Sequence, residues 1–152
     1  MEFKTIADVL NAAIAKEQSA HDLYVAFGNR IKNTSAKRFL SDLAEQELSH
    51  KRMLEDALNR KNIDRISGKR KVEDLHLSDY MIVETITPDS DPQQVILFAM
   101  KREQDSYDAY RMLYENYSAT ELESLFSELS EEELRHKTSL ERAYEFHFNQ
   151  WM

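Results

Sequence analysis

Four stretches of the chain repeat apolar residues at the spacing of a single helix face, and polar breaks separate them. In the first, Ile6, Val9, Leu10, Ala13, Ala20, Tyr24, Phe27 and Ile31 fall in step. It opens at Thr5, whose pairing with Asp8 has the form of a capping box. Lys4, Asp8, Lys16, Asp22 and Arg30 take the opposite face, which is expected to meet solvent. Asn33-Thr34-Ser35 breaks the pattern with ready N-cap residues. A second stripe follows through Phe39, Leu40, Leu43, Leu54, Ala57 and Leu58. The third carries Val95, Ile96, Ala99, Tyr110, Leu113 and Tyr117 behind Asp89-Ser90-Asp91-Pro92, capping residues followed by a proline suited to a first helical turn. After Ser118-Ala119-Thr120, the Thr120–Glu123 pair repeats the capping-box spacing. A fourth stripe then runs through Leu122, Leu125, Phe126, Leu129, Leu140 and Ala143. These periods predict helices over about 5–31, 35–61, 92–117 and 120–147.

Between 62 and 91 the helical pattern fails. Residues 62–71 are mostly polar and basic, and Leu75, Leu77, Tyr80, Met81, Ile82 and Val83 then supply apolar anchors without a long period. A segment of that length suits a crossover along a bundle, with a short helical turn near 77–80 and an extended piece into Ile86. The short break after the first helix makes the first two helices antiparallel neighbours. The expected fold is all-α: one domain over residues 1–152, an antiparallel four-helix bundle with its long connection between helices two and three.

The halves repeat with an offset of 86 residues. Under that shift Ala13 meets Ala99, Glu17-Gln18 meets Glu103-Gln104, Asp22 meets Asp108 and Tyr24 meets Tyr110. Leu43 meets Leu129, and Glu47-Leu48, His50-Lys51, Leu54-Glu55 and Ala57 meet identical residues between 133 and 143. Such a repeat implies two helical hairpins related by a pseudo-two-fold axis.

Charge interrupts the stripes where core residues are expected. Glu17 and Glu103 stand alone in theirs, while Glu47 with His50 and Glu133 with His136 form two Glu-x-x-His pairs on one face each. Two lone glutamates and two such pairs are the set with which a bundle holds two metal ions between its helices. Unpaired, four carboxylates at one level of a narrow core would repel one another or take up protons. Two divalent cations would balance them. Each imidazole would serve one metal, Glu47 and Glu133 would bridge both, and Glu17 and Glu103 would close the outer sides. Mixed carboxylate–imidazole ligation suits iron or manganese, and iron is the expectation for its redox chemistry. Tyr24 and Tyr110, seven residues beyond Glu17 and Glu103, are candidates to donate hydrogen bonds to ligating carboxylates or to act as nearby redox-active phenols. Asp22 and Asp108 are weaker candidates as acceptors for the ligand imidazoles, a surface role fitting them better. His21, His76 and His147 lie off the repeat and read as surface or packing residues; Tyr107, Tyr114 and Tyr117 read as core or interface aromatics.

Composition narrows the chemistry. The absence of cysteine excludes disulfides, thiolate-held zinc or iron–sulfur centres and a thiol nucleophile. Two glycines and two prolines leave little turn chemistry for a sheet. A net charge of −8 argues against nucleic acid and anionic membranes as partners. No apolar run approaches the roughly 18 residues of a membrane span, and the N-terminus shows no signal segment, so a cytoplasmic protein is expected.

The chain resembles the ferritin-like superfamily, and within it the rubrerythrins. The resemblance covers nearly the whole chain and rests on Glu17, Glu47-x-x-His50, Glu103 and Glu133-x-x-His136. It includes the connection from Leu77-Ser78-Asp79-Tyr80 through Ile86-Thr87-Pro88-Asp89 into Ala99-Met100-Lys101-Arg102-Glu103. It implies a ferritin-like bundle, dimeric or larger, with a non-haem di-iron centre that reduces peroxide or dioxygen. Typical rubrerythrins add a four-cysteine rubredoxin module. Its absence here implies a separate electron donor, such as a rubredoxin-like protein. They also carry an extra glutamate one turn after the third-helix ligand, where this chain has Ser106, with Ala20 as its repeat mate. The plain six-residue set is similar to bacterioferritin-type centres and keeps two alternatives open: a ferroxidase or iron-storage role, and a helical scaffold with a vestigial site.

Overall fold

The computed structural model describes residues 3–80 and 92–151, with side chains as far as residue 145. Four long helices form an antiparallel bundle: α1 (Ile6–Arg30), α2 (Thr34–Leu58), α3 (Pro92–Asn116) and α4 (Glu123–Trp151). There is no strand among the described residues. α1 packs along α2, and α3 along α4, giving the two hairpins that the repeat implies.

Local chemistry explains most of the boundaries. Asp8 N–H donates to the Thr5 hydroxyl and the Asp8 carboxylate accepts from Thr5 N–H, a complete capping box at the start of α1. Asn33 caps α2 by accepting from Ala36 N–H at 3.0 Å. The cap expected from Asp89-Ser90-Asp91 lies outside the described residues, as do the extended piece into Ile86 and the anchors Met81, Ile82 and Val83.

Three boundaries differ from expectation. α2 ends at Leu58 rather than near 61, because Asn59 caps it and the chain turns into a 3-10 turn at Ile63–Arg65 that buries Ile63. α4 starts at Glu123 and the Thr120–Glu123 capping box does not form. The Thr120 hydroxyl accepts instead from Leu122 N–H, within a tight turn that places Ala119 at φ 64°. Burial of Leu122 sets that start, since its side chain is fully enclosed and its carbonyl receives the first helical bond from Phe126 N–H. At the other end α4 continues past 147 to Trp151; the packing of the tail side chains lies outside the described residues.

The connection after α2 contributes further 3-10 turns at Val72–Leu75 and at Leu77–Tyr80, the second where a short helical turn is expected. Val72, Leu75 and Leu77 are buried against the end of the bundle formed by the start of α1, the end of α2, the end of α3 and the start of α4. A second apolar cluster, with Phe27, Leu40, Ile96 and Leu140 among its members, fills the opposite end. A polar layer separates the two.

Candidate metal centre

Each helix contributes to that layer from the middle of its buried stripe. Glu17 follows Ala13 by one turn on α1, and Glu103 follows Ala99 on α3. On α2 the buried run is Leu43, Glu47, His50, Leu54; on α4 it is Leu129, Glu133, His136, Leu140. Apolar turns above and below strip water from the six polar side chains, all of which are at most 4% exposed.

Their ligand atoms form two overlapping sets. Glu17, Glu47, His50 and Glu133 each offer an atom within 4.8 Å of the others, and so do Glu47, Glu103, Glu133 and His136. Glu47 and Glu133 belong to both. His50 Nδ1 lies 2.8 Å from Glu133 Oε1, 3.5 Å from Glu17 Oε2 and 3.7 Å from Glu47 Oε2. His136 Nδ1 lies 2.8 Å from Glu47 Oε1 and 3.7 Å from Glu103 Oε2. The two imidazoles stack at 5.4 Å with planes 11° apart. Glu17 Oε2, His50 Nδ1, Glu103 Oε2 and Glu133 Oε1 are fully buried and lack hydrogen-bond partners. Polar atoms that converge at short range without bonding geometry are disposed as ligands are, and a dication would satisfy them.

Each phenol meets the lone glutamate of the other hairpin. Tyr24 OH donates to Glu103 Oε1 at 2.5 Å and Tyr110 OH donates to Glu17 Oε1 at 2.7 Å. Burial and the adjacent carboxylate charges push both phenols well above their ordinary range, so they remain protonated donors.

Burial alone raises every carboxyl in the layer. At Glu17, the neighbouring Glu47, His50 and Tyr110 outweigh it and lower the carboxyl below its usual value. At Glu103, the neighbouring Glu133, His136 and Tyr24 outweigh burial and lower the carboxyl to about 2. Glu47 and Glu133 go the other way: burial and the charges of Glu103 and Glu17 raise them well above the carboxylate range. Burial pushes both imidazoles down, but the surrounding carboxylates prevail and raise His50 and His136 above the ordinary histidine value. Without metal, the layer thus favours protons on Glu47, Glu133, His50 and His136. Two divalent cations would bring the same positive charge as those four protons, and the oxygen and nitrogen donors suit a di-iron or di-manganese pair.

Two neighbours escape a reading of the stripes. His50 Nε2 donates to Glu132 Oε2, and His136 Nε2 donates to Gln46 Oε1. Each of these acceptors directly precedes the glutamate of a Glu-x-x-His pair, and 46 and 132 are repeat mates. In the neutral rings these bonds select the tautomer whose unprotonated Nδ1 faces the layer. Asp22 and Asp108 do not meet the ligand imidazoles; they accept from Gln18 and Gln104. His21 pairs with Asp22 and His76 is exposed, while His147 lies beyond the described side chains. Tyr117 is buried against Phe126, and Tyr114 carries Arg111 over its ring.

Lys16 corrects the solvent-face assignment. It is buried, and its Nζ donates to the Tyr80 carbonyl at 2.6 Å, because the 3-10 turn of the connection covers that side of α1. Its repeat mate Arg102 donates to the Lys16 carbonyl at 2.9 Å and ties α3 to α1 beside Glu17 and Glu103.

With this geometry established, comparisons with known proteins decide the family. The Rubrerythrin family model matches residues 8–144. The chain belongs to the rubrerythrin family. A search of curated proteins finds no match. Among solved structures, this rubrerythrin-family chain is similar to a Thermotoga maritima protein provisionally described as a ferritin-like diiron-carboxylate protein, with a TM-score of 0.71 and 18% identity. That similarity covers 96% of this chain and 98% of the other, and at such identity it speaks for the fold. No described helix is long and apolar enough to cross a membrane.

Proposed function

We propose that Glu17, Glu47, His50, Glu103, Glu133 and His136 hold two iron ions, and that the protein is a di-iron oxidoreductase reducing peroxide or dioxygen. The observation that carries this reading is the pair of four-residue sets sharing Glu47 and Glu133, lined by buried atoms with no other partner. Glu47 and Glu133 would bridge, His50 with Glu17 would complete one position, and His136 with Glu103 the other. Iron held there would supply electrons to the O–O bond of the oxidant.

The protein's own groups orient and insulate that chemistry. Tyr24 and Tyr110 hold one oxygen of Glu103 and of Glu17, leaving the second oxygen of each to face inward. The apolar clusters at both ends exclude water from the layer. Protons on Glu47, Glu133, His50 and His136 leave as metal enters. Without cysteine, the chain offers no thiolate-held centre to return electrons, so a separate donor is part of the reading.

Loading with ferrous iron under anaerobic conditions tests it. Two irons per chain, and consumption of added peroxide or dioxygen with iron oxidation, are expected. A metal-loaded protein that does neither overturns the reading. Ferroxidase or storage activity is the second reading, supported by Ser106 and Ala20 standing where an extra carboxylate would sit. Size-exclusion chromatography separates the two readings, because a dimer encloses no cavity for mineral whereas a closed shell does.

A further inference from the structure

The repeat that builds the layer is broken at one pair of positions in direct contact with it. Glu17 and Glu103, Tyr24 and Tyr110, Glu47 and Glu133, and His50 and His136 are identical pairs under the shift. Gln46 and Glu132 are not. We infer that this difference makes the two metal positions unequal, the one built on His50 and Glu17 binding a divalent cation first and more tightly. The inference rests on the six-residue ligation proposed above.

The argument follows the imidazoles. His50 Nε2–H donates to a carboxylate, Glu132 Oε2, whereas His136 Nε2–H donates to a neutral amide oxygen, Gln46 Oε1. A hydrogen bond to a charged acceptor is roughly twice as strong as one between neutral groups, and it draws the N–H proton toward the acceptor. The ring of His50 therefore carries more negative charge, and its Nδ1 is the stronger donor to a cation. Glu132 also adds a full negative charge on one side of the layer only. Two features limit the effect. Glu132 is 28% exposed, and the exposed guanidinium of Arg135 lies 3.9 Å from its other oxygen. Partners of this kind change metal affinity by about 10–100-fold, and the exposure places the expected bias near the lower end, about tenfold. The flanking cations differ in kind but not in sign, Lys16 beside Glu17 and Arg102 beside Glu103, and the phenol bonds on the two sides match to within 0.2 Å.

The test is the occupancy of each position in protein loaded with one equivalent of Mn2+, read from anomalous scattering. In the unaltered chain the peak beside His50 and Glu17 should be about threefold the stronger, since two independent sites that share one equivalent of metal divide it by the square root of a roughly tenfold affinity bias. Glu132→Gln should even the two peaks. The exchange variant, Gln46→Glu with Glu132→Gln, should move the stronger peak to His136 and Glu103. Both substitutions keep side-chain length, and circular dichroism with the thermal midpoint confirms that the variants fold. A purely structural role for Glu132 would weaken both peaks together and could not reverse their order. Equal peaks in the unaltered chain, or a preference that stays at His50 in the exchange variant, overturn the inference. Saturation with two Mn2+ per chain would leave the six-residue ligation standing in that event. A folded chain that binds no Mn2+ at saturation overturns both.

Discussion

At the scale of single residues, the layer assigns different weights to its four carboxylates. Glu47 and Glu133 appear in both ligand sets, while Glu17 and Glu103 each appear in one. Glu47→Ala or Glu133→Ala should therefore strip both metals, and Glu17→Ala should leave about one per chain; elemental analysis of the purified variants reads this directly. Retention of two metals in Glu47→Ala would disprove bridging. Tyr110→Phe removes the donor to Glu17 Oε1 and leaves a buried charged acceptor without its partner. That should lower stability by about 1.5–3 kcal/mol in urea unfolding of the metal-free protein. The ligand candidates were visible in the chain because a glutamate or histidine interrupts an apolar stripe, which burial penalises unless something compensates. Gln46 and Glu132 gave no such signal: they fall on the polar side of their helices, where a charged or amide side chain is ordinary. Lys16 looked like solvent face for the same reason, and only the turn that covers α1 explains its burial.

At the scale of elements, sequence legibility followed the local chemistry. The start of α1 could be read because its capping bonds are made between neighbours, Thr5 and Asp8. The start of α4 could not, since tertiary burial of Leu122 overrode the Thr120–Glu123 spacing. The connection after α2 was legible only as a length. Its path depends on Asn116 at the end of α3, which is buried, accepts from Arg70 N–H at 2.8 Å and donates to the Arg70 carbonyl at 3.3 Å. Lys69 N–H adds a bond to the Asn116 carbonyl. Gly68 lets the strand of chain come this close, because a Cβ there would overlap the Asn116 amide and press within 3.1 Å of its carbonyl. Asn116→Ala should therefore release the segment around residues 68–71, destabilising the protein by about 1–3 kcal/mol. Hydrogen exchange should show faster exchange at Arg70 N–H. An unchanged rate there would mean that Asn116 does not hold the connection.

For the whole molecule, the 86-residue repeat made the architecture readable, since two copies of one hairpin must bury their stripes against each other. The same convergence makes stability depend on pH and metal together. Glu47, Glu133, His50 and His136 bind protons more tightly when folded than at their ordinary values of 4.5 and 6.5. Their contribution is complete below those values and is lost as pH rises toward the folded ones. Glu17 and Glu103 have the opposite sign: their contribution is present above 4.5 and is lost as pH falls, toward about 2 for Glu103. The metal-free protein should thus be most stable near pH 4.5 as far as this layer governs it, and weaken steadily from there through neutrality. Divalent metal held by these six residues should reverse the trend, because it would bind their deprotonated forms and gain affinity as the protons leave. The rise in thermal midpoint on adding Mn2+ should be small at pH 5 and grow toward pH 8, with protons released into a weakly buffered solution. A metal-induced rise that does not change with pH, with no proton release, would mean that the cation binds outside this layer.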